Sequence, residues 1–268
     1  MLFPPSPETL LAGARSLGIL HELLASELAR AARIPAPAAP MRQRPLWGMG
    51  PFEAALRRAP RPVIAEFKRG SPSLGPFAAG ADPRERLAAY ARGGAAACSI
   101  LAEPERFLGR PEDFREAAGL PILYKGFVCT EAHLDEAAAL GAQAVLLITR
   151  LLGGHLPGFA AAARVRGLEP LVEIHDPAEI VPAQAASVRM VGWNARDLAD
   201  FSVRKAPAAL LREAFPHQLL VRESGIHSPG DAVTALEGFD AVLIGEALMR
   251  APDPAAFLAG IHRPGARP

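Results

Sequence analysis

Beyond residue 60 the chain alternates short apolar runs with longer stretches of helical period. The runs are VIAEF (63–67), ACSIL (97–101), PILYK (121–125), AVLLI (144–148), PLVEI (170–174), MVGWN (190–194), LLVRE (219–223) and AVLIG (241–245). They are close to continuously apolar, as strands must be when a parallel sheet is covered on both faces. Parallel neighbours need crossover connections, and the intervals have room for helices. Eight strand–helix units predict an α/β protein built as a (β/α)₈ barrel. An open doubly wound sheet is the rival, but the G-x-G-x-x-G turn it would carry after the first strand is missing there.

Before the barrel, Leu10, Leu11, Leu17, Leu20, Leu23, Leu24 and Leu28 recur at helical spacing, which predicts an amphipathic helix over 8–33. Residues 34–51 are rich in Pro and Gly and read as a linker, followed by a short helix from Phe52 to Arg58. The expected division is an N-terminal helical extension and linker, 1–60, and a barrel, 61–268. Asp82-Pro83, Asp176-Pro177, Ser228-Pro229 and Asp253-Pro254 mark helix starts. Glu85 and Glu179, three residues after their caps, suggest capping boxes. Gly93, Gly141, Gly167 and Gly238 mark helix ends.

Composition narrows the chemistry. The 268 residues carry 29 Lys+Arg against 28 Asp+Glu, and half are hydrophobic, the profile of a globular protein with a large core. Without a basic block, nucleic acid is not an expected partner. Cys98 and Cys129, far apart, form neither a disulfide framework nor a metal cluster, and the seven histidines show no metal-ligand spacing. No apolar run reaches the length of a membrane span, and MLFPPSPETL lacks the basic start and apolar core of a signal peptide. The expected compartment is therefore the cytoplasm. Only three residues are lysine (Lys68, Lys125 and Lys205) and only one is asparagine, Asn194.

In such a barrel the site lies at the C-terminal strand ends and the loops after them. Those positions hold Glu66, Lys68, Ser71 and Ser73 after the first strand, Lys125 on the third and Glu173 on the fifth. Asn194 and Arg196 follow on the sixth, Glu223-Ser224-Gly225 on the seventh and Gly245-Glu246 on the eighth. Two of the three lysines and the sole asparagine fall in this set. Any one of these charges would pass as a surface salt bridge. Three acids and two lysines around one concave mouth shift each other's pKa, which is how acid/base sites are made. Glycines after the last two strands let backbone N–H groups approach an anion, so Ser224, Gly225, Gly245 and Glu246 are the expected phosphate site, with the Glu246 side chain pointing away. A buried lysine has its pKa lowered toward neutrality and can serve as an acid, as arginine cannot. His175 is expected to cap or pack.

The stretches IAEFKRGSPS (64–73), ARGGAAACSIL (91–101), ILYKGF (122–127), LEPLVEIH (168–175), VGWNARDL (191–198), VRESGI (221–226) and DAVLIGEALMRAPDP (240–254) resemble indole-3-glycerol phosphate synthase of tryptophan biosynthesis, in order along the whole barrel. The N-terminal extension resembles that family's too, where it partly covers the barrel mouth. The resemblance implies a lyase that closes 1-(2-carboxyphenylamino)-1-deoxyribulose 5-phosphate to indole-3-glycerol phosphate with loss of carbon dioxide and water, without metal or organic cofactor. It implies Lys125 as general acid in ring closure and Glu173 as its acid/base partner, with Glu66 and Lys68 close by. Ser71, Asn194 and Glu223 would bind and orient the substrate, and Arg196 would lie near its carboxylate. Phe107 and Phe127 would flank the aromatic ring, and Ser224, Gly225, Gly245 and Glu246 would hold the phosphate. The implied partner is a sugar phosphate, with no nucleic acid and no membrane, for a monomer open to association with other tryptophan-pathway enzymes. The chain departs from the family pattern at Leu74, Ala102, Leu108, Arg110 and Glu246. It departs also at Gly126, where an acidic residue would help to hold the lysine. Two alternatives remain: a related phosphate-binding barrel such as phosphoribosylanthranilate isomerase, and a catalytically impaired paralogue acting as a binding protein.

Overall fold

Each apolar run becomes a strand. The computed structural model describes residues 9–11, 19–35, 48–72, 74–196 and 206–262. Its barrel strands are β1 (Val63–Phe67), β2 (Ala97–Leu101), β3 (Ile122–Lys125), β4 (Ala144–Ile148), β5 (Glu169–Ile174), β6 (Met190–Asn194), β7 (Leu219–Glu223) and β8 (Ala241–Ile244). Every pair is parallel, each strand lies beside the next, and β8 returns to β1 to close the barrel. The expected (β/α)₈ architecture is the one observed.

Among the described residues, residues 9–11 are helical and two longer helices precede the barrel, α1 (Ile19–Ala31) and α2 (Pro51–Arg58). The crossovers use α3 (Pro83–Arg92), α4 (Glu131–Ala139), α5 (Thr149–Leu152), α6 (Leu156–Val165), α7 (Ile180–Ala185), α8 (Ala208–Ala214) and α9 (Pro229–Ala235); α10 (Glu246–Arg250) and α11 (Pro254–His262) follow β8. Between β2 and β3 the expected α-helix is replaced by a 3₁₀ turn, Pro111–Glu116. A small hairpin, Gly70–Ser71 against Gly75–Pro76, follows β1. Two-residue strands carry no period, so the sequence pattern did not reveal it. Residues 8 and 12–18 of the expected first helix, 36–47 of the linker, Ser73, 197–198 of the VGWNARDL motif and Lys205 lie outside the described residues.

The caps behave as their chemistry dictates. Asp82, Asp176 and Asp253 accept from Arg84, Ala178 and Ala256 N–H, each at 2.9 Å. The reciprocal capping box forms at Ser228 and Asp231. It does not form at the two expected glutamates: Asp82 caps α3 without a returning bond from Glu85, and Glu179 accepts from the His175 N–H (3.0 Å) instead. Gly141 and Gly167 end α4 and α6 in left-handed conformations, φ 81° and 77°; after α3 that falls to Gly94 (φ 89°) rather than Gly93.

Alternation along the strands separates two apolar layers. Outward residues such as Val63, Cys98, Val145 and Val172 pack under the crossover helices. Inward residues such as Ile64, Leu123, Leu146 and Leu171 form the barrel interior, and Phe52 and Leu56 of α2 join them. Glu169, the first residue of β5, receives the N–H groups of Phe52 (2.7 Å) and Glu53 (2.9 Å), so α2 is anchored at the end of the barrel where the strands begin. Glu53 in turn pairs with Arg189 at 2.6 Å. Helix α1 lies toward the opposite end, where Leu23 lines the mouth. Its buried Glu27 takes Arg30 (2.9 Å) and His133 (3.1 Å), while Arg30 reaches Glu136 (2.8 Å) and the Tyr124 hydroxyl (3.2 Å).

Replacing Glu169 by Ala leaves two buried N–H groups without an acceptor. The expected loss is about 1–3 kcal/mol of folding stability, measured by urea unfolding against wild type.

Candidate active site

Inward-facing positions at the ends of alternate strands place Glu66 (β1), Lys125 (β3), Glu173 (β5) and Glu223 (β7) at one level. Barrel interiors are filled in layers, each supplied by alternate strands. Two residues earlier on the same strands, Ile64, Leu123, Leu171 and Val221 are fully buried. A charged layer therefore sits directly on an apolar one. Lys125 Nζ is 2.6 Å from Glu223 Oε2, 3.5 Å from Glu66 Oε2 and 3.9 Å from Glu173 Oε2. Lys68 Nζ lies 2.8 Å from the other oxygen of Glu66. The lysine side chains retain some exposure, 15% at Lys125 and 17% at Lys68, while the carboxylates lie almost wholly buried.

Burial alone would lower the Lys125 pKa, as the sequence reading expects. The structure reverses that direction: Glu223, Glu66 and Glu173 together outweigh desolvation, and the ammonium is held charged well beyond its usual range. The carboxylates divide. Burial would push the Glu173 carboxyl up, but His175 and Lys125 hold it down, to about 2. Burial, with Glu173 nearby, raises Glu223 to about 7 despite Lys125. The two buried acids are thus driven in opposite directions, an arrangement suited to acid/base work.

Glu223 is fully buried behind Lys125 and does not line the cavity. The sequence reading places it against substrate. The structure gives it the lysine, with its second oxygen packed over Gly192, where any Cβ would collide with it. Gly245 has a similar constraint: a Cβ there would strike the Glu66 carboxylate. The other expected residues line one cavity enclosing about 1080 Å³, open solvent at its mouth included.

Asn194 organises the next strand ends. Its Nδ2 donates to Glu173 Oε2 (3.3 Å), and its Oδ1 accepts from the Arg196 N–H (3.1 Å) and the Ser224 hydroxyl (2.7 Å). That last bond holds Ser224 at φ 63°, a conformation a non-glycine residue rarely takes, followed by Gly225 at φ 72°. Glu246 turns its carboxylate to Arg250 (3.1 Å), with Arg196 4.0 Å away, and lines the rim of the cavity. Ser71, on the hairpin, completes that side of the wall.

The opposite wall is aromatic. The Phe107 and Phe127 rings lie 6.1 Å apart. Phe107 is positioned by a buried carboxylate that the sequence reading missed: Glu103 accepts from the N–H groups of Glu105, Arg106 and Phe107 at 2.8–2.9 Å. The buried pair Arg69–Asp113 (2.5 Å) joins the loop after β1 to that after β2, with the guanidinium 4.8 Å from the Phe67 ring centroid. Neither has a motif to announce it, because each carboxylate serves backbone or a cation brought close only by folding.

His175, expected to cap or pack, is buried beside two carboxylates. It is 2% exposed, with Nε2 3.2 Å from Glu173 Oε1 and Nδ1 3.8 Å from Glu179 Oε2. Desolvation would lower its pKa, but Glu173 and Glu179 raise it to about 9.

Among the described residues no group of three or more His, Cys, Asp and Glu is placed to hold a metal ion, and no helix is long and apolar enough to cross a membrane.

Comparison with known proteins agrees with this geometry. Residues 45–261 match the family model described as indole-3-glycerol phosphate synthase. The chain belongs to that family. Indole-3-glycerol phosphate synthase 2 of Streptomyces coelicolor is 44% identical over 217 residues, covering 78% of this chain and 84% of that protein. The Deinococcus radiodurans indole-3-glycerol phosphate synthase is 43% identical over 225 residues, covering 79% and 82%. Among solved structures, a tryptophan synthase from M. tuberculosis superposes with a TM-score of 0.59 over 80% of this chain and 98% of that one. At 13% identity that likeness shows the barrel fold alone.

The folded-state pKa of His175 lies above its unfolded value of 6.5. Its contribution to stability is therefore complete below about pH 6.5 and is lost as pH rises through about 9. Urea unfolding of wild type and His175→Gln is expected to show a stability difference that is larger at pH 6 than at pH 10.

Proposed function

We propose that this chain catalyses closure of 1-(2-carboxyphenylamino)-1-deoxyribulose 5-phosphate to indole-3-glycerol phosphate in tryptophan biosynthesis. The observation that carries this reading is the Lys125 ammonium set among three buried carboxylates at the mouth, with an aromatic wall on one side and backbone-rich strand ends on the other. The anthranilate ring would lie against Phe107 and Phe127, and the phosphate at Ser224–Gly225 and Gly245–Glu246. Arg196 would meet the substrate carboxylate, with Ser71 and Asn194 orienting the sugar between them.

The chemistry asks for a proton donor first. As the aromatic carbon bonds to the ketone carbon, the carbonyl π electrons move to oxygen, and a cation beside that oxygen stabilises the developing alkoxide. Lys125 suits this step although its pKa is raised, because an alkoxide is more basic still. Breaking the carbon–carbonyl bond to the aromatic carboxylate then releases carbon dioxide and restores electrons to the ring system. Finally the hydroxyl departs with a proton as water, which requires an acid at that oxygen and a base for the proton lost from the ring system. Glu173, kept ionised, is the base. Lys125 and Lys68 are the two ammonium groups within reach of the same pocket, and the assignment of the dehydration acid between them stays open. Glu66 bridges the two lysines.

The same reading makes the compartment cytoplasmic, where a reducing environment suits the free, buried Cys98 and Cys129. The partner is a sugar phosphate rather than nucleic acid or membrane, for a monomer organised as a 1–60 extension on a 61–268 barrel.

Gly126 need not weaken the site. Lys125 is already held at 2.6 Å by Glu223, and a Cβ at 126 would come 3.1 Å from the Tyr124 ring. That ring is held in place by the bond from its hydroxyl to Glu136 (2.5 Å). Gly126→Asp is accordingly expected to give a kcat no higher than wild type in steady-state assays; a clear rise would show that an acid is wanted there.

The deciding assay follows indole-3-glycerol phosphate fluorescence with wild type and Lys125→Met. Wild type is expected to turn over, and the variant to lose at least about 10²-fold, the usual contribution of a positioned acid. An inactive wild type would favour a binding role for the barrel instead, and equal rates would remove Lys125 from the chemistry.

A further inference from the structure

The charged layer does not end at the barrel wall. From outside inward, Arg150 of α5 pairs with Glu179 (2.8 Å), Glu179 faces the His175 ring (3.8 Å), and the ring faces Glu173 (3.2 Å). Glu173 faces Lys125 (3.9 Å), Lys125 faces Glu66 (3.5 Å), and Glu66 holds Lys68 (2.8 Å). With His175 protonated, charge alternates at every step. With His175 neutral, two carboxylates face an uncharged ring in a buried setting, an expensive arrangement.

We propose that His175 is a positioning residue for the reaction: its imidazolium, set between Glu173 and Glu179, acts by its charge and keeps the Glu173 carboxylate ionised.

The inference rests on the function proposed above. His175 does not line the cavity, so it acts through Glu173. Its backbone is fixed by the N–H bond to Glu179, and Asp176 caps the turn that carries Glu179. The carboxylate it addresses also receives Asn194 (3.3 Å) from β6, and Glu223 stands behind Lys125 on β7. Charge counting points the same way. Among the described residues Lys125 is shared by Glu66, Glu173 and Glu223, and the His175 ring is a second group that can bring positive charge to Glu173. The elevation of the His175 pKa to about 9 accords with that. Burial is already the largest influence on Glu173, and removing this cation leaves Lys125 as the charge that offsets it, so the pKa rises and the base is lost at higher pH than in wild type.

Two measurements on the full-length chain test this. The first is a nitrogen NMR titration of labelled His175. The imidazolium should persist above pH 7 in wild type, and its midpoint should fall by at least about one pH unit in Glu179→Gln, whose side chain is outside the cavity. A ring already neutral at pH 7, or a midpoint indifferent to Glu179, overturns the proposal. The second is the pH dependence of indole-3-glycerol phosphate formation. In His175→Gln the acidic limb of kcat should move up by about one to three pH units, with KM little changed because the residue does not touch substrate. His175→Lys, which restores a cation, should recover part of the shift. An acidic limb that superimposes on wild type's overturns the positioning role. Absence of turnover by wild type would instead remove the proposed reaction, while the NMR midpoint still decides the charge of His175. Should His175→Gln fail to fold, the titration of wild type and Glu179→Gln decides alone.

Discussion

A lysine and three carboxylates occupy one layer of a barrel whose next layer down is entirely aliphatic. Taking four charges out of water together is tolerable only if they neutralise one another at close range, and much else in the molecule follows from that requirement. Glu66, Glu173 and Glu223 must come from strands that surround Lys125. Gly192 and Gly245 must lack side chains, because carboxylates lie against their α-carbons. Asn194 ties Glu173 to the Ser224 turn, so the acid/base centre and the strand ends assigned to phosphate share one hydrogen-bonded frame. The charges are also driven differently: burial raises Glu223, His175 and Lys125 hold Glu173 low against burial, and the three carboxylates keep Lys125 charged.

Helices α1 and α2 serve opposite ends of the barrel. Helix α2 meets the interior where the strands begin, its first N–H groups satisfied by Glu169, and so leaves the far end free to be polar. Helix α1 reaches that far end. Leu23 adds an apolar surface to the mouth, and the Glu27–Arg30–Glu136–Tyr124 network fastens the helix to the outer side of β3. Because Tyr124 and Lys125 are adjacent and point to opposite sides of the strand, the bonds that seat α1 also stiffen the strand that carries the lysine.

Much of this was legible in the residues. Eight apolar runs map onto eight strands with boundaries moved by a single residue, because a strand buried on both faces cannot hide its composition. The acid/base set was legible for a related reason: in an arginine-rich chain Lys68 and Lys125 stand out, and strand ends are where such a barrel places its chemistry. The missed features have a shared character. Glu103, the Arg69–Asp113 pair, Glu27 with His133, and His175 with Glu173 are buried polar groups whose partners lie on other elements or are backbone N–H groups. Linear spacing marks none of them.

The residues alone therefore determined the architecture, the family and the membership of the site, since these depend on local composition and on position relative to a strand end. Only the tertiary structure decided what each charge does. It turned Lys125 from a lysine expected to have a lowered pKa into one held charged, set Glu223 against that lysine, and placed His175 beside Glu173. Those outcomes depend on distances of 2.6–3.9 Å between side chains from different strands or neighbouring turns. Coulomb energy in a buried site is set by such separations, and a linear sequence does not contain them.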